Sequence, residues 1–110
     1  MPLVANVSGV AASGTLVKVF SLNCRGIGPC RMFVKNTGAD NALTAAQVKV
    51  GPFSTSDHLA VLDTTAFASL AADGGSATLV IPAPVDLLEL YVTCAGGTEL
   101  DIVVSSGILP

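Results

Sequence analysis

An antiparallel, all-β sandwich is the fold class this sequence predicts, and three observations carry it. Short runs rich in Val, Leu, Thr and Phe recur along the chain. Gly, Pro, Asn and Asp punctuate them at the intervals expected of turns between strands. Helical spacing is confined to residues 63–71, where Phe67 and Leu70 stand three apart. That is one turn, too short to persist as a helix by itself. At 110 residues the chain is one domain, 1–110. Folding at this size buries roughly 65% of the unfolded surface, enough for one core without a metal or an obligatory disulfide.

Leu3 to Val10 reads as a weak first strand, and residues 1–14 can double as an extended interaction arm. Thr15 to Leu22 is stronger, with Leu16, Lys18, Phe20 and Leu22 alternating against Val17, Val19 and Ser21. Cys24 to Pro29 is a loop, and Arg31 to Lys35 a strand stopped by Asn36-Thr37-Gly38. Gln47 to Val50 alternates until Gly51-Pro52 breaks it, and a short strand follows at Leu59 to Leu62. Asp63 or Thr64 then caps at most one short helical turn near 64–71, which tucks Phe67 and Leu70 into the core before Asp73-Gly74-Gly75. Three strands close the chain: Ser76 to Ile81, Leu87 to Ala95 and Thr98 to Ser105. The last two read as a hairpin with Ala95-Gly96-Gly97 as its loop. Leu88, Leu90 and Val92 then oppose Val104, Ile102 and Leu100 on the buried side, and Gly97 turns left-handed at a bulge.

The composition bears on function. Apolar residues make up 51% of the chain and charged residues 12%, with a mean hydropathy of +0.70. Soluble domains are typically about 25% charged, so contiguous apolar surface is expected, and such patches mark interaction sites. The five basic residues are scattered and there is no Trp, which argues against nucleic acid. Leu79 to Val92 is interrupted by Pro82, Pro84, Asp86 and Glu89, short of the ~20 apolar residues of a membrane helix. Met1-Pro2-Leu3-Val4-Ala5-Asn6 lacks the charged and apolar regions of a signal peptide, so synthesis in a cytoplasm is expected. In that compartment Cys24, Cys30 and Cys94 are expected to stay reduced and buried. A disulfide across the Cys24–Cys30 loop, or an inter-sheet one between Cys30 and Cys94, is the alternative.

Catalytic chemistry finds little footing. His58, in Ser54-Thr55-Ser56-Asp57-His58, is the single histidine, and nothing around it resembles a nucleophile elbow. Glu99 and Asp101 share a strand face but lack the aromatic platform of a sugar cleft. Asp40-Asn41 and Asp73-Gly74-Gly75 read as turns rather than calcium loops, and one distant histidine does not complete a zinc site with the cysteines. Gly26-Ile27-Gly28-Pro29 is a poor phosphate loop, because Pro29 removes a donor and no helix follows; Ile27 is better read as part of a connector that meets a partner. No catalytic, cofactor or metal residue is assigned, and no cofactor is expected. The apolar ends Pro2, Leu3, Val4 and Ile108, Leu109, Pro110 join Ile27 as candidates for contact between subunits.

Two segments carry a resemblance. Phe33-Val34-Lys35-Asn36-Thr37-Gly38, followed by Leu43 and then Val48-Lys49-Val50, resembles the V-x-N-x-G turn and following strand of immunoglobulin-like domains. Ser69 to Leu79 resembles the L-x-x-G-x-S-x-T-L segment of the same domains, in which a Leu plugs the core before a strand. An immunoglobulin-like or jelly-roll-like sandwich is what this resemblance implies. In size and in its Ala, Gly, Thr and Val content the chain is also similar to small virion structural proteins of tailed bacteriophages, most of all head decoration (cement) proteins. That similarity implies a non-enzymatic homo-oligomer, a trimer being one candidate. It would be made in the bacterial host cytoplasm, be located in the virion, and be bound to the major capsid protein or another virion protein. The alternatives are a neck, tail or fibre-associated protein, or a carbohydrate-binding immunoglobulin-like module.

Overall fold

The computed structural model describes residues 3–24, 29–51, 59–81 and 85–106, with the side chains of Leu3 and Val4 left out. Six strands form: β1 (Leu3–Asn23), β2 (Cys30–Asn36), β3 (Ala45–Gly51), β4 (Ala60–Asp63), β5 (Ser76–Ile81) and β6 (Leu87–Ser106). All pairings are antiparallel, in the order β4-β3-β6-β2-β5, with β1 on the other side of β6. The fold is all-β, as predicted. Residues 64–74 make turns only, and no helix occurs among the described residues.

β1 and β6 organise the molecule. Each holds about 20 residues and would run on the order of 65 Å if straight. The molecule measures 37 × 32 × 20 Å, so both strands must bend. They bend where β1 residue 13 lies opposite residues 95–97, beside Gly14 (φ 116°) and Gly97 (φ 82°). Beyond the bend the far side of β6 changes partner. Leu87 to Thr93 pairs with β3, and Leu100 to Ser106 pairs with β2. Two four-stranded leaves result, β4-β3-β6-β1 and β5-β2-β6-β1, which share the two long strands. The 20 Å depth matches two sheets stacked about 10 Å apart.

The hairpin expected at residues 87–105 is therefore not formed. Its face assignment holds, since Leu88, Leu90, Val92, Leu100, Ile102 and Val104 are all fully buried. Their partners are instead in β1: Leu90 lies opposite Phe20, Val92 opposite Val17 and Leu100 opposite Val10. Alternation fixes which side a residue faces but not which strand lies beside it. The left-handed Gly97 is present as expected, yet it serves a bend in one strand rather than a turn between two. Likewise the two segments read at Leu3 to Val10 and Thr15 to Leu22 are one strand.

One core cluster unites the leaves. Phe20, Val48, Leu88, Leu90 and Val92 from one leaf meet Met32, Val34, Ile81, Leu100, Ile102 and Val104 from the other. Phe67 and Leu70 plug this core from the 64–75 connection, as the sequence implied. Asp63 caps that turn, its Oδ1 accepting from the amides of Thr65 (2.8 Å) and Ala66 (2.7 Å).

Candidate functional site

Three features can carry function: a polar cluster, the sheet edges and the buried thiols. The polar cluster sits on the outward face of the β1–β6–β3 leaf. Glu89 lies between Ser21 of β1 and Lys49 of β3, and Tyr91 lies between Lys18 and Gln47. Although it points away from the core, Glu89 is only 1% exposed. Its Oε2 accepts from Ser21 Oγ (3.1 Å) and pairs with Lys18 Nζ (3.4 Å), and its Oε1 accepts from Tyr91 OH (2.8 Å). Lys49 Nζ stands 4.4 Å above the centre of the Tyr91 ring, a cation–π contact. Burial, and then the bond to Glu89, pushes the Tyr91 hydroxyl above its ordinary pKa. A carboxylate so fully engaged is poorly placed to act as a general base. The cluster locks three strands in register and gives the outer face a saturated polar centre.

Simple alternation does not find this cluster. It places Lys18, Phe20 and Leu22 on one face and Ser21 on the other. A bulge between Lys18 and Phe20 inserts Val19, after which Phe20 and Leu22 join Val17 opposite inward-facing residues of β6. Lys18 and Ser21 are thereby brought to the same side, both on Glu89. Nothing in the residue types signals that extra residue.

The sheet edges are open. Among the described residues β4 pairs only with β3, and β5 only with β2. Val61 and Leu62 of β4 are 49% and 41% exposed, and Val80 of β5 is 44% exposed. β5, Ser76-Ala77-Thr78-Leu79-Val80-Ile81, holds no charged residue. Natural monomers blunt such edges with Lys, Pro or bulges, because an unpaired row of amides and carbonyls templates a further strand. β1 is blunted in that way, by four bulges or irregularities after Val7 and by Lys18.

The three cysteines are free and buried. Cys94 Sγ is directed at the carbonyl of Ala42 (3.6 Å), near the bend. Cys24 Sγ donates to the carbonyl of Leu22 (3.6 Å), and the interaction with Cys30 pushes the Cys24 thiol up while Cys24 holds the Cys30 thiol down.

Of the interface candidates from the sequence, Pro2, Ile27, Ile108, Leu109 and Pro110 lie outside the described residues, as does His58. For Leu3 and Val4 only the backbone is described. It belongs to β1, with Leu3 opposite Ser105, so these two residues continue the sheet rather than standing off it. No ligand-sized cavity and no group of three metal-binding side chains occurs among the described residues.

No protein-family model and no curated protein matches the sequence. Solved structures similar to it include those of the infectious bursal disease virus Gx strain (16% identity, TM-score 0.48) and of the infectious bursal disease virus VP2 subviral particle (16%, TM-score 0.46). The matches cover 96% and 94% of this chain but 34% and 32% of those chains. The chain thus spans about a third of the length of the structures it matches. At these identities and scores the similarity assigns the chain to no family.

Proposed function

We propose that this chain is a non-enzymatic structural subunit of a virus particle, specifically a decoration (cement) protein of a tailed-phage head. It assembles with copies of itself and binds the major capsid protein or another virion protein. The observation that carries the reading is the uncharged β5 edge, together with the exposed Val61, Leu62 and Val80 on a chain that is only 12% charged. Such an exterior suits a molecule whose neighbours cover part of it. The phage assignment draws on the sequence resemblance alone. The apolar residues Pro2, Leu3, Val4, Ile27, Ile108, Leu109 and Pro110 supply further contact area in this reading.

A carbohydrate-binding role has weaker support. Tyr91, the single tyrosine, is covered by Lys49 and tied to Glu89 instead of offering an open stacking face. The test has two arms. Light scattering of the purified chain should give a closed oligomer, and sedimentation with particles that lack it should place it on the shell in stoichiometric amount. A stable monomer that stays in the supernatant at micromolar concentration would overturn the proposal.

A further inference from the structure

β5 ends its leaf with a row of backbone groups whose direction follows from its bonded side. Asn36 of β2 donates its amide to the carbonyl of Gly75 (2.7 Å), just before β5 begins. In an antiparallel ladder the bonded pairs recur at every second residue. Ala77, Leu79 and Ile81 therefore turn their amides and carbonyls to Val34, Met32 and Cys30 of β2. Ser76, Thr78 and Val80 turn theirs the other way, to an edge that no described strand occupies. Their side chains are exposed, whereas Ala77 and Leu79 are partly buried at the rim of the core.

We propose that the β5 edge pairs antiparallel with the β5 edge of a second copy, about a two-fold axis at Thr78, joining two β5-β2-β6-β1 leaves into one continuous sheet. The inference rests on the self-assembly proposed above and names its contact. A register shifted by one residue is excluded, because outward residues of one copy would stand beside inward residues of the other. With Thr78 opposite Thr78, Ser76 faces Val80, and every open amide and carbonyl of both edges finds a partner. Ala77 then meets Leu79 on the inward side, so each core continues into its neighbour.

A shift of two residues keeps the faces matched but loses bonds. In one direction Ser76 faces Pro82, which has no amide hydrogen. In the other Val80 faces Gly74, whose amide already donates to the carbonyl of Asn36 (2.8 Å). Charge does not oppose the pairing, since β5 holds none. Lys35, opposite Ser76, stands three strand spacings from the Arg31 that lies opposite Val80 in the second copy. That is about 14 Å, beyond the ~8 Å reach of exposed charges at physiological salt.

Disulfide trapping in the full chain tests the register. Positions 77 and 79 form a pair without backbone bonds, the closer of the two antiparallel spacings. Ala77→Cys and Leu79→Cys, one of them isotopically labelled, should give a mixed dimer linked from 77 to 79 when oxidised together. Neither variant should link to itself when oxidised alone. Self-linkage of Leu79→Cys or of Ala77→Cys would move the axis off Thr78 and overturn the proposal. The unmodified chain supplies a second readout. As it is concentrated from monomer to oligomer, the amides of Ser76, Thr78 and Val80 should exchange with deuterium at least about tenfold more slowly. An oligomer whose folded variants give no mixed link, or whose three amides stay unprotected, overturns this contact and leaves self-assembly standing. A chain still monomeric at millimolar concentration overturns both.

Discussion

Asn36 shows most plainly how a residue read as a turn marker becomes a structural pin. It is fully buried at the end of β2, and its amide makes four bonds. Nδ2 donates to the carbonyls of Asn41 (2.9 Å) and Leu70 (3.3 Å). Oδ1 accepts from the amide of Gly38 (3.2 Å) and from Thr98 Oγ1 (2.6 Å). One side chain thus ties β6 to both connections that cross between the leaves at the bend. Gly38 is glycine because a Cβ there would collide with Thr98 Oγ1. The V-x-N-x-G pattern is therefore explained by packing. Asn36→Ala strands these buried groups, and urea unfolding should show a loss of about 2–4 kcal/mol. Asn36→Asp, equal in size, should be no better, because it turns an acceptor toward two carbonyls. Tyr91 offers a second test at this scale. It is the sole tyrosine, so phenolate absorbance reports on it alone. Its midpoint should lie above the ordinary 10.0, and Glu89→Gln should bring it down. Since the folded pKa is the raised one, the folded state binds the extra proton. Stability from this group is present below pH 10 and falls as pH rises toward the folded value, a fall that Tyr91→Phe should flatten.

Among the elements, β2, β3 and β5 were legible because each is short, alternates without interruption and ends at a turn signal. Cys30, Met32, Val34 and Asn36 face inward while Arg31, Phe33 and Lys35 do not, which is a period of two read straight off the residues. β1 and β6 were half legible. Their apolar faces followed from the sequence, but bulges and left-handed residues within a strand resemble turns between strands when seen one-dimensionally. Ala95-Gly96-Gly97 suits a hairpin loop as well as a bend, and only the placement of β1 along both halves of β6 decides. The outward Glu89 cluster was hidden for the same reason, behind the inserted Val19. The bend itself can be tested at Gly97. Its φ is 82°, and a methyl group added at its Cα would find no atom closer than 3.8 Å. A Cβ there therefore meets conformational strain and no collision. Gly97→Val should cost about 1–2 kcal/mol in urea unfolding, and Gly97→Asn distinctly less, because asparagine tolerates the left-handed region.

For the whole molecule the open question is which edge meets a neighbour, and β5 is the stronger candidate. Its outward row, Ser76, Thr78 and Val80, is exposed and uncharged, so two copies could pair antiparallel without bringing like charges together. A charge on this row should therefore separate copies without unfolding either one. Val80 lies opposite Arg31 on β2, which makes Val80→Glu the informative change. Within one chain the new carboxylate faces a guanidinium across the strands, a neutral to mildly favourable pairing. Across a β5–β5 contact each copy would bring a carboxylate to an edge that holds no charge. Light scattering should then show the oligomer of the unmodified chain falling to monomer, with the melting temperature kept within a few degrees. Val61→Glu, on β4 opposite Lys49 of β3, makes the same challenge at the other edge. If β5 is the contact, this second variant should remain assembled. Assembly that survives both substitutions would exclude the two short edges and leave the apolar termini as the surface to pursue.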